Sequence, residues 1–540
     1  MARRTKLQIA KEKLELIETQ QKIQKYELQQ KVMAIVDTQV GHGGGTPYDG
    51  ASITSQANQG WYAFSGDPDD TLLGMQRLRE RSRDLYTNNV VGGGAIRTKT
   101  SSVIGSGLKL QSAVDPKLVG LADTVVREKE NEIERLWEMW VKEADASNQC
   151  DYYELQDQAY RTFLICGDSF TVFPRIERPN SPFSFRIKVI EGDRCSNPNY
   201  QSDNAALRGG VVIGPNEEPL GYHFRFRKAL WQDTWQYFPA FGGKSGRRNA
   251  IHLMRQDRPG AKRGTPMLTI MMSHLKQIGR YMDAETMAAV ISSFFVGFVE
   301  SSNDDALSST ITNFFQREAG IPDATPPRYD IVPGTIQHLR NGEKMNLSAP
   351  GRPNNSFGAF MQSMMEFAGM GLEIPYEILM RHYSSSYSAS RGARIDWERV
   401  AKIDRVWFNR KWNQQIYENW LFEQVAFGML DLPGFLTDPY VREAWCNAVW
   451  TGDAAGLLDP QREVSAAISR IEAGLSTRTL EAAGLTGMDF EHILTILATE
   501  QQMMKDKGVT IGMPSQSSGS GFQKNQDPQN SDQQPQGEGQ

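Results

Sequence analysis

The chain has 540 residues, with 59 Lys and Arg against 64 Asp and Glu, a formal net charge of −5, and 39% hydrophobic residues. One hydrophobic core rarely organises so many residues, so roughly two to four packed units are expected. Near-balanced charge excludes a broadly basic nucleic-acid glove, and any contact with a phosphate backbone must be local and weak.

Met1-Ala-Arg-Arg-Thr-Lys6 has no apolar run behind it, so no secretory signal is expected. Residues 5–36 are rich in helix formers, with apolar Leu7, Leu14, Ile17, Leu28 and Ile35, but Gln21, Gln24 and Lys31 interrupt any heptad seam. This segment reads either as a docking arm or as a solvated charged helix. Gly41 to Gly60, containing Gly-His-Gly-Gly-Gly-Thr-Pro, reads as a flexible linker.

Leu72 to Lys99 and Pro116 to Ala144 predict helices, the second placing Leu121, Val125, Leu136, Trp137 and Trp140 on one face. Gly105 and Gly107 punctuate the turn between them. Residues 151–163 continue helical; then the period changes, and Thr162 to Arg175, Phe183 to Ile190, Gly209 to Ile213 and Gly221 to Arg227 read as strands. Gly214-Pro-Asn-Glu-Glu-Pro219 makes a hairpin of the last two. Beyond it Tyr222, Phe224 and Phe226 alternate with His223, Arg225 and Arg227, giving one packed face and one basic face. The basic face is either solvated or set against a phosphate backbone or a neighbour's acidic patch.

Pro266 to Val299 predicts a long helix whose uncharged piece, Thr286 to Val299, is shorter than the roughly 18 residues a membrane span needs. No membrane partner is expected, and the cytoplasm is the expected compartment during assembly. Ser301 to Pro353 is polar and proline-rich, with strand and turn character at Ile331 to Leu339. Ser356 to Gly371 predicts a second helix, whose Met361, Met364, Met365 and Met370 suit either a repacking surface or a plain helical core. Ile374-Pro-Tyr-Glu-Ile-Leu379 leads into the serine-rich stretch Tyr383 to Arg391, and a long helix bearing Trp397, Trp407, Trp412 and Trp420 follows. Residues 437–505 read as short helices with Leu475, Leu480, Leu485, Ile493 and Leu497 as core candidates. From Gly508 onward the composition cannot bury a core, so a disordered tail is expected.

Catalytic chemistry has little to build on. Cys150, Cys166, Cys195 and Cys446 show no paired spacing, which argues for a reducing compartment and against disulfides or a zinc site. The seven histidines, His274 and His382 among them, lack metal-ligand spacing. Gly242-Gly-Lys-Ser245 is not a phosphate loop, because Phe238 stands where the first glycine is required. Gly167-Asp-Ser-Phe-Thr171 lacks the second glycine of a nucleophile elbow. No catalytic residue, metal or cofactor is expected.

Several stretches together resemble the lambda-type portal proteins of tailed bacteriophages. They are Tyr48-Asp-Gly-Ala51, Leu78-Arg-Glu-Arg-Ser-Arg-Asp-Leu-Tyr-Thr-Asn-Asn89, Val103-Ile-Gly-Ser-Gly-Leu108 with Gln111-Ser112, and Gly167-Asp-Ser169. Glu191-Gly-Asp-Arg194 with Asn197-Pro198, Arg258-Pro-Gly-Ala-Lys-Arg-Gly-Thr-Pro266 and the Tyr-Ser-Ser loop with Arg391 complete the set, in family order over roughly residues 48–430. The resemblance implies an α+β portal fold in a ring oligomer. Its parts would be an N-terminal arm and linker (1–46), a mixed wing (47–265), stem helix 1 (266–300), a small α/β clip (301–353) and stem helix 2 (354–379). A tunnel loop (380–392), a long wing helix (393–436), a helical crown (437–507) and the tail (508–540) would follow.

The same resemblance implies a structural, non-enzymatic protein of the virion. Twelve copies would form a channel at the capsid vertex for double-stranded DNA in packaging and ejection, and would initiate procapsid assembly. The implied partners are the terminase large subunit, the major capsid and scaffold proteins, and head-completion or neck proteins; a head-tail adaptor without motor docking is the alternative.

Duplex DNA carries about one negative charge per 1.7 Å, and strong cationic contacts repeated around a ring would stall it. Weak, sequence-blind contacts suit movement better. The candidates are the hydroxyls of Ser384, Ser385, Ser386, Ser388 and Ser390, with Tyr383 and Tyr387, and with Arg381, His382 and Arg391 at the loop's base. Arg394 is balanced between a DNA contact and ion pairing along a helix of mixed charge.

Overall fold

The computed structural model describes residues 66–229, 232–293, 297–301, 343–347, 356–383, 386–453, 460–488 and 490–508. Two compact units divide the chain, Met1–Asp70 and Thr71–Gln540. The elements described here lie in the second. The expected arm (1–46), most of the expected clip (301–353), Ser384, Ser385 and the tail beyond residue 508 lie outside the described residues.

Two helices, α1 (Met75–Asn88) and α2 (Val90–Val103), stand where periodicity predicts one over 72–99. Asn89 makes the joint: its backbone is extended at φ −112° and ψ 122°, and its side-chain oxygen accepts the Gly92 N–H at 2.9 Å. Asn favours that capping role over a helix interior, so a new helix starts there. The helix predicted over 116–144 also divides, because Gly120 at φ +72° closes a single turn, Pro116–Val119, before α3 (Asp123–Val141) begins. Next, α4 (Tyr152–Cys166) opens on a capping box between Asp151 and Glu154 and closes on Gly167 at φ +85°. These two end signals carry the helix to Cys166, through residues whose alternation predicts a strand.

β2 (Asp168–Val172) is fully buried between antiparallel β3 (Lys188–Glu191) and β8 (Ala250–Met254). A second antiparallel sheet runs in the order β4 (Leu207–Arg208), β5 (Val211–Ile213), β6 (Pro219–Ala229), β7 (Gln232–Pro239). Alternation on β6 is as expected: Tyr222 and Phe224 are buried, each with its ring centroid 5.1 Å from that of Phe170 on β2. The opposite face is less basic than a single strand suggests. Asp233, opposite Arg227 in the ladder, lies 3.5 Å from Arg227 and 3.6 Å from Arg225, and Arg225 also donates to Tyr200 Oη at 2.7 Å. A cross-strand carboxylate thus offsets much of the charge.

A 3-10 turn, Met267–Met271, precedes α5 (Met272–Ser293). The short ladder of β9 (Gly297–Ser301) with β10 (Glu343–Leu347) comes before α6 (Phe357–Leu372) and α7 (Tyr376–Met380). Then α8 (Tyr387–Phe408), a π-helical turn (Asn409–Asn413) and α9 (Gln414–Ala426) form one long helical run. It begins at Tyr387 rather than 393 and stops at Ala426 rather than 436. Trp412 and Trp420 from this run, with Trp137 and Trp140 of α3 and Tyr152 of α4, are all but fully buried, and the Trp137–Trp420 and Trp137–Trp140 centroids lie 5.0 and 4.7 Å apart. Burying each such ring is worth about 1.5–3 kcal/mol. β1 (Lys109–Ser112) pairs with β11 (Ala448–Thr451), after α10 (Pro439–Trp445), and joins two distant parts of the chain beside this hub.

Three further helices end the described chain: α11 (Pro460–Glu472), α12 (Arg478–Thr486) and α13 (Phe490–Lys507). Here the expected core is corrected. Leu475, Leu480 and Leu497 are 79%, 67% and 44% exposed, Leu485 and Ile493 are half-buried, and Ala467 alone is buried among the described residues of these helices. Helical spacing identifies apolar faces without saying whether one chain can cover them.

Candidate functional site

The stretch from Arg381 to Arg391 is entered through two sharp backbone turns and leaves directly into α8. α6 stops where Glu373 takes φ +57°, and the Ile374 N–H returns to Gly369 O at 2.9 Å. Pro375 then opens α7, which stops in turn where Arg381 takes φ +52°. Left-handed conformations at two residues other than glycine need support from their surroundings. Leu372 and Ile374, 2% and 1% exposed, anchor the chain on either side of Glu373.

Arg381, His382 and Tyr383 follow as exposed residues outside any helix. Ser386, also exposed, caps α8 by accepting the Ala389 N–H at 3.4 Å. Tyr387, Ser388, Ser390 and Arg391 therefore lie on the first turns of α8 and not in a loop, which corrects the expected extent of 380–392. The cause is Ser386, whose side chain satisfies a backbone N–H of the first turn. On these turns Tyr387, Ser388 and Arg391 are exposed and Ser390 is half-buried. Arg394 pairs with Glu398 at 2.7 Å, one helical turn on. The segment presents phenols, hydroxyls and a few cations to solvent, an arrangement suited to weak polar contact. Among the described residues no cluster of side chains could hold a metal ion.

Beneath the segment, α8 is fixed by a carboxylate that sequence reasoning misses. Asp404 is 2% exposed, receives Tyr160 Oη at 2.9 Å and Lys99 Nζ at 3.2 Å, and is also bonded by Arg255. Asp404 shares a helix face with buried Trp397, Ala401 and Phe408. A charge at that spacing on an apolar face is the signal that could have revealed it. A cavity of about 380 Å³ lies alongside, lined by Lys99, Arg255, Thr265, Met267, Leu372 and Asp404 among others.

Four of the stretches that carry the resemblance meet at a second buried knot. Asp168, fully buried at the start of β2, lies 2.9 Å from Arg79 of α1 and 2.5 Å from Arg263, with His252 of β8 at 3.3 Å. Arg263 also donates to Cys195 O at 2.8 Å and Gly192 O at 2.5 Å, and Arg79 to Cys166 O at 2.8 Å. Arg83 pairs with Asp193 at the rim. Burial would raise the Asp168 pKa, but Arg263, Arg79 and the His252 hydrogen bond outweigh it and hold the carboxyl well below its ordinary range. Burial keeps His252 neutral by lowering its pKa, and pushes the neighbouring Cys166 and Cys195 thiols up to about 12 and about 11. Thiols so protonated are poor nucleophiles. These motif residues therefore serve packing: they lock α1, β2, the Gly192 turn and the Arg263 loop together.

A family model described as "Phage portal protein, lambda family" matches residues 54–405. The portal protein of Escherichia phage N15 is 24% identical over 491 residues, covering 87% of this chain and 91% of that one. Portal protein B of Escherichia phage lambda is 23% identical over 491 residues, covering 87% and 90%. Among solved structures, a chain from the neck of a native gene transfer agent particle, computed with C12 symmetry, matches with a TM-score of 0.41 at 12% identity, over 77% of this chain and 94% of that one. That last likeness is too distant to carry weight.

Proposed function

Since the chain belongs to the lambda family of phage portal proteins, we propose that its copies close into a ring at one vertex of the phage head. The ring, twelve-fold by the family resemblance, is the channel for double-stranded DNA in packaging and ejection and the starting point of procapsid assembly. The terminase large subunit and later the neck proteins dock on residues 301–353, while capsid and scaffold proteins meet the outer surface. The observation that supports this most is the family match over residues 54–405, which spans the exposed segment as well as the motif knot. Tyr383 and Tyr387, 60% and 54% exposed beside Arg381, His382 and Arg391, add a surface that can touch a phosphate backbone without gripping it.

The test joins imaging with phage yield. Negative-stain images of the purified protein are expected to show rings with a central hole, and replacing Ser386, Tyr387 and Ser388 by Asp is expected to leave those rings intact while lowering packaged DNA. A uniform monomer under assembly conditions would overturn the ring. Unchanged packaging by the triple variant would remove the DNA-facing role of the segment.

A further inference from the structure

The stretch Val103-Ile-Gly-Ser-Gly-Leu108 takes no part in the Asp168 knot, yet three distant segments are fastened to it and to the last turn of α2. The Lys99 ammonium, 3.2 Å from Asp404, is also 3.8 Å from Glu373 at the end of α6. Trp397 Nε1 donates to Ser102 Oγ at 3.1 Å. Arg405 donates to Val103 O at 3.0 Å and to Ser102 O at 2.8 Å. The C-terminal carbonyls of a helix have no partner within it, so Arg405 supplies what the end of α2 needs. α8 cannot slide along α2 without stranding those carbonyls.

The third segment is the root of the C-terminal helices. Ser106 donates its backbone N–H to Asp453 Oδ2 at 2.7 Å and its hydroxyl to Asp453 Oδ1. Gly105 adopts φ +61°, and a Cβ there would collide with the Asp453 carboxylate. The left-handed backbone therefore favours glycine, and a Cβ would also push the Asp453 carboxylate out of its bonds to Ser106. Gly452 is similarly crowded, since a Cβ would meet Leu108 and Arg405. On the far side Gln156 grips Leu108 through both its N–H (2.7 Å) and its carbonyl (2.9 Å), pinning the strip to α4.

We propose that Lys99 to Ser106 is a coupling seat, through which the position of Asp453, at the root of α11 to α13, sets the position of α8 and of the Arg381–Arg391 segment. Lys99, Ser102 and Val103 hold the segment's two roots, and Ser106, one turn further on, holds Asp453. The two attachments share one short, hydrogen-bonded piece of backbone, so a displacement at one end is passed on as a rigid shift. The functional consequence, that the C-terminal helices adjust the DNA-facing segment, rests on the reading given under "Proposed function"; the mechanical coupling does not.

Hydrogen–deuterium exchange of the full-length assembled protein, without DNA, tests the coupling. Asp453→Ala, and the milder Ser106→Ala in case the first fails to fold, are expected to raise exchange several-fold both in residues 460–475 and in 387–400. Arg470→Ala, which breaks the Arg470–Glu481 pair inside the C-terminal helices, is the control and is expected to leave 387–400 unchanged. Faster exchange confined to 460–475 in both seat variants would overturn the proposal, as would an equal response of 387–400 to Arg470→Ala. Because no DNA is present, either result stands apart from the packaging test of the segment.

Discussion

Asp168 shows how a single carboxylate comes to organise five pieces of chain. Its partners are two guanidinium groups and a neutral imidazole at a buried position, where an unmatched charge is expensive. Asp168→Asn is expected to cost about 3–5 kcal/mol, because it leaves Arg79 and Arg263 facing each other with only Asp193, 3.6 Å from Arg79, as counter-charge. Urea unfolding at neutral pH measures this. The pH dependence follows from the depressed pKa. An unfolded Asp takes up a proton below about pH 4 while the folded one does not, so this stabilisation is complete above that pH and is lost as pH falls. His252, held neutral when folded, works in the same direction from about pH 6.5 downward. The urea midpoint is therefore expected to fall from pH 7 to pH 3, and the step below pH 4 is expected to be smaller in Asp168→Asn, with Glu481 and Asp233 supplying what remains.

Among the elements, the long run from Tyr387 to Ala426 is the most instructive, because its π-helical turn gathers a polar chain inside an aromatic hub. Asn413 Oδ1 accepts from Tyr152 Oη at 2.8 Å and from Gln156 Nε2 at 3.1 Å, and its amide donates to Asn409 Oδ1 at 2.6 Å. Gln156 in turn holds Leu108. π-Helical turns are inherently strained and persist where side chains repay them. Asn413→Ala strands two donors in a dry interior, and a loss of about 1–3 kcal/mol is expected in thermal or urea unfolding. Asn413→Leu is expected to cost at least as much, since it adds apolar volume where polar partners converge. A neutral result for both would mean the hub tolerates the stranded groups.

For the whole molecule, the contrast between the aromatic hub and the C-terminal helices decides where assembly should matter. Trp137, Trp140, Trp412 and Trp420 are at most 1% exposed, whereas Leu475 and Leu480 are 79% and 67% exposed. Helices with so little buried surface gain stability by covering it against something else. Under the ring reading that cover comes from neighbouring copies, so Leu480→Asp is expected to leave the unfolding of the hub unchanged and to shift sedimentation toward smaller species. Sedimentation equal to that of the parent would place the cover elsewhere.

The amino-acid sequence by itself determined the helices and strands whose ends carry local signals, such as the capping box at Asp151 and Glu154, and the alternation of Tyr222, Phe224 and Phe226. It also carried the family, through short stretches in a fixed order. Periodicity overran at Asn89 and Gly120, because a cap or a left-handed residue outweighs a pattern that would otherwise continue, and it fell short at Tyr387, where the Ser386 cap starts the helix six residues early. Only the tertiary structure decided what the charged residues do. Arg79 meets Asp168 across 89 positions, Tyr160 meets Asp404 across 244 and Arg405 meets Ser102 across 303. Pairs so far apart leave no spacing to read: burial alone turns an ordinary Asp, Lys or Arg into an obligatory partner, and burial belongs to the packed chain.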